Sequence, residues 1–335
     1  MAQNTSNTTA FIEASRYDNF ILTNLHDGML PDNMTRDVSN FGSGTTLNVK
    51  SVGTVTLQDV AEGTPLNYNP IDTGNLTLTI SEYIGDAWSI SDELRQEGSQ
   101  IEQLQAARAM ESTRALQEKF ETDFLAACNS AQASGANLVN SFAHRFCAGS
   151  GAGTTKVMTE NNLIEMALAF DKANVPAAGR IAIVDPVTAA TFNKLVTLTS
   201  NVDAVKQNSL YGVWTNSFVQ NHRFVMSMHG WDIFTSNRLP RLATAEATLK
   251  TFDQSVSPTG AANAGEVGDI ANIFMCIADD QCRPMMRAWR KMPSTEGWRS
   301  SEDREDRFQV TAKYGFGLQR PESLGVIITD PLLTA

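Results

Sequence analysis

The most regular pattern in the chain is an alternation of apolar and polar residues near its C-terminal end. Phe308, Val310 and Ala312 alternate with polar residues, as on a half-buried strand. The alternation resumes over residues 324–328, after a break at Pro321. This pattern predicts two strands joined by a turn, that is, a C-terminal hairpin.

A second alternating segment lies within residues 41–90. Leu76, Leu78 and Ile80 alternate with threonine and serine, which predicts a strand. A segment with two prolines and one glycine precedes it, and an earlier run rich in valine and leucine predicts a partner strand. An isolated two-stranded hairpin is marginally stable in water. We therefore expect the hairpin at residues 50–85 to lie across another subunit.

After Ser91 the spacing of apolar residues changes from that of a strand to that of a helix. Ser91 is a good N-cap, and two acidic residues in the first turn match the helix dipole. Apolar residues then recur every three or four positions to about Ala127, with Leu116, Phe120 and Phe124 in one stripe. This predicts a helix of about 25 residues, well above the average of about 11–12, which Gly98-Ser99 could divide. We expect its apolar stripe to pack on the terminal strands at Val310 and Val326–Ile328.

Residues 159–240 form a helix, strand and helix with short links, which predicts an α+β block. Thr159 is placed to cap a helix that stops at Val175-Pro176, and residues 180–184 form an apolar strand. Asp185-Pro186 is a helix start, with proline at the first helical position. Residues 231–240 predict a further strand that ends in a polar turn. The small, polar residues 129–156 are interpreted as a flexible connector.

Composition places limits on the function. The chain has 335 residues, 42% of them hydrophobic and 19% charged, which suits one large folded domain or two smaller ones. Its formal net charge of -11 argues against strong non-specific binding of nucleic acid, which needs a dense face of lysine and arginine. No run of eighteen apolar residues and no N-terminal signal peptide are present. We expect a protein of the cytosol that does not enter a membrane.

No segment of the chain carries a recognisable metal or cofactor motif. Cys128, Cys147, Cys276 and Cys282 lack C-x-x-C spacing, so four reduced cysteines are favoured over a zinc site completed by His144. The glycine-rich residues 149–153 could bind phosphate, but they lack the Gly-Lys-Ser/Thr ending, and a connector is favoured. The charge run at 301–307 has mixed signs, so a solvated or inter-subunit salt-bridge segment is favoured over a metal site.

Nor does the chain show a catalytic motif. His26, His144, His222 and His229 lie in different segments, and none belongs to an H-E-x-x-H motif. No G-x-S-x-G elbow and no G-x-G-x-x-G loop occurs. We therefore nominate no catalytic, cofactor-binding or metal-ligating residue, and we expect no cofactor and no enzymatic activity.

Taken in order, several segments resemble the major capsid proteins of tailed bacteriophages with the Hong Kong 97 fold. The resemblance spans about residues 40–330. It is carried by Ala61-Glu62-Gly63 with Pro65 and Pro70, Trp88-Ser89-Ile90-Ser91-Asp92-Glu93-Leu94, Phe120 to Leu125, Phe170 to Pro186, Gly230 to Pro240, and the ending from Tyr314 to Asp330.

The resemblance implies an α+β capsid fold with four parts. These are an N-terminal arm (1–40), an extended β-hairpin loop (41–90), a peripheral domain with a long spine helix (91–135 and 270–335), and an axial domain (136–269). Some members of the family that the chain resembles form a covalent cross-link between a lysine of the extended loop and an asparagine of a neighbouring subunit. Here Lys50 lies at the base of that loop and the next lysine is Lys119, so we expect no such cross-link.

The function implied is that of a structural protein that self-assembles, as hexamers and pentamers, into an icosahedral head shell enclosing double-stranded phage DNA. The expected location is the virion, after assembly in the host cytoplasm. The chain lacks a long scaffolding-like N-terminal extension, so assembly would use a separate scaffold protein or none. Portal and decoration proteins are further partners. Two alternatives stay open: an encapsulin-like shell around a protein cargo, and an enzyme built on the α+β block at 159–240.

Overall fold

The structure, a computed structural model, is an α+β fold in which two large sheets share one long helix. It describes residues 34–332 except 41–43, 54–56, 61, 64–72, 98–100, 133–137, 140–141, 150–155, 200–223, 247–248, 250 and 253–263. The described helices are α1 (Asp92–Glu97), α2 (Ile101–Ala131), α3 (Glu160–Lys172) and α4 (Pro186–Thr199). The described strands are β1 (Thr35–Asp37), β2 (Thr46–Val52), β3 (Thr73–Thr79), β4 (Glu82–Ser91), β5 (Leu138–Val139), β6 (Phe142–Ala143), β7 (Arg145–Cys147), β8 (Arg180–Val184), β9 (Phe224–Met228), β10 (Trp231–Thr235), β11 (Ile270–Cys276), β12 (Met285–Ser300), β13 (Glu305–Leu318) and β14 (Leu324–Thr329).

The first large sheet has the strand order β1-β12-β13-β4. Its centre is the long antiparallel pair β12 and β13, and β4 pairs with the other edge of β13. Phe308, Val310 and Ala312 are buried along β13 and their neighbours are only partly buried, so the predicted alternation is confirmed. One face of this sheet therefore packs on the helix layer while the other remains accessible.

The second large sheet has the order β7-β14-β11-β8-β10-β9 and mixes parallel and antiparallel pairs. Every residue of β8, β11 and β14 is buried. Strands covered on both faces carry near-continuous apolar runs, as in residues 181–184 of β8 and 273–276 of β11. Helix α3 packs on one face, where Leu163, Met166 and other apolar residues meet this sheet.

Helix α2 contacts both sheets. On the four-stranded sheet, the Phe120 ring stacks on Trp289 at 5.0 Å and meets Tyr314 at 4.8 Å. Toward its C-terminal end, Phe124, Leu125 and Cys128 join a buried cluster with residues of the six-stranded sheet. The predicted stripe of Leu116, Phe120 and Phe124 is buried, and the helix is longer than expected, at 31 residues.

Local signals at the helix ends are confirmed. The side-chain oxygen of Asn162 accepts a hydrogen bond from the Thr159 backbone N–H at 3.1 Å, at the start of α3. At the start of α4, an Asp185 carboxylate oxygen accepts from the Val187 N–H at 2.9 Å. Pro186 occupies the first helical position, where its missing N–H costs nothing. The predicted boundary between Gly98 and Ser99 falls between α1 and α2, in residues outside those described.

The predicted C-terminal hairpin is wrong. β13 lies in the four-stranded sheet and β14 in the six-stranded sheet, so the two strands do not pair. A short 3-10 helix at Pro321–Ser323 carries the chain between them. As a consequence, Val326–Ile328 do not pack against the apolar stripe of α2. Val310 does pack against Leu116, and it is Leu324 that meets the C-terminal part of the helix.

Three predicted segments have different borders in the structure. Residues 129–156 are not simply a connector, because β7 is buried within the six-stranded sheet. In the range expected to be an arm, Met34 is buried and β1 pairs in parallel with β12; residues 1–33 lie outside the described part of the chain. In the range expected to be the extended loop, β4 belongs to the four-stranded sheet. The predicted boundary at residue 270 does not separate the sheets, because β11 and β14 pair with strands of residues 136–269.

Truncating Phe120 tests the central packing of α2. Phe120→Ala removes a ring that is 1% exposed and contacts three other aromatic rings. Such truncations cost about 3–5 kcal/mol, and native stability is only about 5–15 kcal/mol. We expect Phe120→Ala to misfold or aggregate, as measured by soluble yield and thermal unfolding. Gln117→Ala, on the same helix but partly exposed, is the control and should be near neutral. A soluble Phe120→Ala chain at wild-type yield would contradict this packing.

Candidate assembly interface

A separate two-stranded hairpin projects from the four-stranded sheet. Its strands β2 and β3 pair in antiparallel register from Thr46↔Thr79 to Val52↔Thr73, as the alternation predicted. Among the described residues of the hairpin, the fully buried side chains lie at its base: Leu78 and Ile80 pack on Met286 and Ala288 of β12. Leu47 and Val49 of β2 pack beside them and are partly buried.

Two glycines of β13 allow this base to approach the sheet closely. A Cβ atom at Gly315 would lie 2.5 Å from the backbone oxygen of Thr79. One at Gly317 would lie 2.7 Å from the Leu78 side chain. Real Cβ contacts are longer than this. A side chain at position 315 would meet backbone atoms and push the hairpin off the sheet, whereas one at position 317 would require the Leu78 side chain to move. The Tyr314-Gly315-Phe316-Gly317 sequence therefore alternates aromatic residues toward α2 with glycines toward the hairpin.

Beyond β2 the chain carries exposed apolar side chains. Leu57 is 91% exposed and Val60 is 72% exposed. Asp59 and Glu62, also exposed, accompany them, and residues 51–94 contain no lysine or arginine. Exposed leucine and valine close together on an acidic segment are typical of a surface that a partner covers.

Other exposed apolar side chains lie on the four-stranded sheet and on the helix that covers the six-stranded sheet. Tyr83, Met292 and Trp298 belong to the four-stranded sheet and are 64%, 51% and 45% exposed. Ile164 and Leu168 lie one turn apart on α3, which covers the six-stranded sheet, and they are 47% and 40% exposed. Each part of the subunit thus presents its own accessible apolar surface.

An ion-pair cluster joins α2 to the turn after β10. The guanidinium of Arg238 donates to Glu121 and to Glu118, each at 2.8 Å. Glu121 is buried and also accepts a hydrogen bond from the Ser236 hydroxyl at 2.7 Å. Hydrogen bonds from Arg114 and then Arg238 hold the pKa of the Glu118 carboxyl below its usual value, against the opposing effect of desolvation. No sequence motif indicated this cluster.

The charge run at 301–307 covers the turn between β12 and β13 and the first three residues of β13. Asp306 is largely buried and pairs with Arg95 of α1 at 2.6 Å. Arg299 pairs with Asp92 at 2.6 Å, and Arg307 with Asp303. All three ion pairs form within one chain, and the first two connect α1 to β13 and β12.

The structure does not bring the four cysteines together. Cys128, Cys147 and Cys276 lie in three different buried clusters, and Cys282 is partly exposed. Burial raises the pKa of the Cys147 thiol to about 12, so it stays protonated at neutral pH. Among the described residues, no group of three or more potential ligands could hold a metal ion.

The remaining candidate residues have structural roles or lie outside the described part. His144 is buried and stacks on Phe170 at 5.7 Å, and burial lowers the pKa of its imidazole. His229 has φ of 50° and, with Gly230, makes the turn between β9 and β10. Gly149 exchanges two hydrogen bonds of 3.3 Å with the Asn162 side chain, so its N–H is already used. His26, His222 and most of the glycine-rich loop lie outside the described residues.

None of the helices within the described ranges is both long and apolar enough to cross a bilayer.

Comparison with solved structures finds phage capsids that share this fold. The capsid of cyanophage P-SCSP1u is 16% identical with a TM-score of 0.64, and the match covers 90% of this chain and 88% of that one. The mature capsid of bacteriophage PhiM1 is 16% identical with a TM-score of 0.58, covering 91% and 88%. The capsid of cyanophage Pam1 is 13% identical with a TM-score of 0.57, covering 88% of each chain. At these identities the likeness concerns the fold, which is α+β and of the Hong Kong 97 type.

The family comparison identifies the protein's class. No curated protein sequence matches the chain. The model of the phage capsid protein family, however, matches residues 74–328, well over half of the sequence. This is a family of structural proteins and not of enzymes. The chain therefore belongs to the phage capsid protein family, and it is a major capsid protein that forms the head shell of the virion.

Proposed function

We propose that hairpin β2–β3 lies across a neighbouring subunit and links the subunits of the shell. The observation that carries this proposal is the contrast along the hairpin. Its base is buried at Leu78, whereas Leu57, in the segment that follows β2, is 91% exposed. A pair of strands with one anchored end gains little from its own packing. Burial of Leu57 and Val60 against a second copy would supply the missing apolar contact.

The parts of the subunit take their proposed roles from this arrangement. The four-stranded sheet with α1 and α2 corresponds to the peripheral domain, and the six-stranded sheet with α3 and α4 to the axial domain. In this assignment β11 and β14 move from the peripheral range 270–335 to the axial domain. The N-terminal arm then ends before Met34, and the extended loop covers residues 44–80 and excludes β4.

We also propose that the subunits form hexamers and pentamers that close an icosahedral shell, assembled in the host cytoplasm. Packaged DNA is enclosed without sequence-specific binding, which the net charge of -11 supports, since an acidic protein repels phosphate. Scaffold, portal and decoration proteins are the further partners of such a shell. An encapsulin-like shell around a protein cargo is the alternative, and the phage capsid family match favours DNA as the content.

Removing the tip of the hairpin tests its proposed role. Deleting residues 63–69 should leave a soluble, folded subunit that fails to close shells, because the buried base of the hairpin is untouched. A milder variant, Leu57→Ser with Val60→Ser, should reduce the yield of shells for the same reason. Size-exclusion chromatography and electron microscopy measure both outcomes, since shells elute far earlier than single subunits.

Leu332→Ser is the matched control for the point variants. Leu332 is 87% exposed, so the substitution removes a similar apolar surface outside the hairpin. We expect it to assemble normally. Normal shells from the deletion variant would refute the proposed linking role.

A second prediction concerns covalent linkage. The only lysine near the hairpin, Lys50, lies in β2 and faces Asn75 of the same chain across the ladder. An isopeptide bond at the tip would lack its amine. Mature particles boiled in SDS should therefore give one band near 36.5 kDa on a reducing gel. A ladder of multimers that survives reduction would show that the subunits are cross-linked.

A further inference from the structure

Among the described residues, the two sheets of the subunit are joined by a shared apolar cluster, which includes Met285 of β12 and Ile273 of β11, by helix α2 and by two short chain links. Helix α2 contacts both of them. Two short links also pass between them, residues 277–284 from β11 to β12 and residues 319–323 from β13 to β14. The links lie side by side: the N–H groups of Gln319 and Arg320 both donate to the carbonyl of Pro284, at 2.6 and 3.1 Å. Such a junction permits bending unless side chains brace it.

Helix α2 is fixed firmly to the four-stranded sheet. The Phe120 ring packs among Trp289, Tyr314 and Phe316, with ring centroids 4.8–5.0 Å apart. Two polar contacts reinforce this packing. Arg108 pairs with Asp86 of β4 at 2.8 Å, and the Tyr314 hydroxyl donates to Asp123 at 2.7 Å. The helix therefore moves with this sheet.

The bracing toward the six-stranded sheet lies at two levels along α2. At the helix end, the Gln132 side chain donates to the carbonyls of Pro321 and Leu324, both at 2.7 Å, and Arg145 of β7 donates to Asn129 at 2.9 Å. Nearer the middle of α2, Arg238 donates hydrogen bonds to Glu118 and Glu121, which lie on adjacent turns of the helix. Glu121 precedes Gln132 by eleven positions, roughly 16 Å along a helix, so the two contacts together resist rotation of one sheet relative to the other.

The chemistry of this contact suits a brace. Arginine presents several donors in a rigid plane, and here it uses two of its nitrogens on two carboxylates. The Glu121 side chain is only 4% exposed, so its charge is largely removed from water and its position is well defined. The backbone N–H of Arg238 also donates to the Ser236 hydroxyl at 3.3 Å, and that hydroxyl donates to Glu121. The turn and the helix are thus locked through one buried carboxylate.

We propose that Arg238 is a positioning residue that sets the angle between the two sheets and, through it, the curvature of the shell. This rests on the proposed function, in which the subunits meet through surfaces on both parts. The hairpin projects from the four-stranded sheet, and the exposed Ile164 and Leu168 belong to the layer on the six-stranded sheet. A change of angle changes the direction between these surfaces. Whether repeated contacts close, and at what radius, depends on that direction.

The test compares Arg238→Gln with Arg114→Gln. Arg114 is the matched control because it also pairs with Glu118, at 3.2 Å. Both residues belong to α2, so this pair does not connect the helix to either sheet. We expect both variants to fold. Arg238→Gln should give shells of mixed diameter, or open sheets, in electron micrographs, whereas Arg114→Gln should give the single diameter of the wild type. Arg238→Lys keeps the charge but not the two-pronged geometry, and should restore uniform shells only in part.

A second readout uses the unassembled subunit. The amides of Ile277 and Gln319 lie in the two links and donate to the carbonyls of Gly179 and Pro284. Loss of the brace should speed their hydrogen exchange in Arg238→Gln but not in Arg114→Gln. A merely structural loss of stability would speed exchange throughout both sheets, so the restriction to the links identifies a positioning role.

The outcomes separate this proposal from the proposed function. Uniform wild-type shells from Arg238→Gln, with unchanged exchange in the links, would overturn the proposal. If Arg238→Gln is insoluble, Glu118→Gln removes one prong at a partly exposed site. Uniform shells from both Glu118→Gln and Arg238→Lys would then overturn it.

A wild-type chain that forms no shells would contradict the proposed function, and the exchange comparison would still decide whether Arg238 braces the junction.

Discussion

The structure depends on one helix that is shared by two sheets. Helix α2 buries an aromatic residue, Phe120, in the four-stranded sheet, and the same helix supplies Phe124 and Leu125 to the cluster on the six-stranded sheet. Neither sheet has a second long helix on that side, within the described residues, that could replace it. The relative position of the two halves of the subunit therefore depends on α2, on the apolar cluster that α2 shares with both sheets, and on the polar contacts around it.

This arrangement explains why the accessible surfaces are distributed as they are. The inner face of the four-stranded sheet is occupied by α2, so the hairpin base must pack on the opposite face, where Gly315 and Gly317 leave room. The rest of the hairpin then extends beyond the sheet, and Leu57 and Val60 are left without cover. In the shell proposed above, every copy would both offer its hairpin and receive one, so this segment would be covered by symmetry.

Local features could be predicted from the sequence because their causes lie within a few residues. The cap at Thr159, the Asp185-Pro186 helix start and the apolar stripe of α2 each follow from side chains on adjacent turns. The partner of a strand has no such local signature. The alternation in β13 and in residues 324–328 is compatible with a hairpin, yet the two strands join different sheets. Strand β7 was not predicted, because the sequence around it is polar and rich in glycine. Its Arg145 is buried because it pairs at 2.5 Å with Glu246, which lies 101 residues away in the sequence.

The same limit applies to the assembly surfaces. The two strands of the hairpin could be predicted from alternation, and the order of motifs indicated the family. The Arg238 cluster could not, because Arg238 and Glu121 are 117 residues apart and both read as ordinary surface charges. Ion pairs of this kind appear only when the fold brings the helix and the turn together.

The most direct test of this account is a cryo-electron microscopy map of particles assembled from the wild-type protein. The account predicts closed shells in which Leu57 and Val60 of each subunit are buried against a neighbouring copy, while Leu78 stays packed on its own sheet. A chain that remains a small oligomer, or shells in which Leu57 and Val60 face solvent, would contradict it.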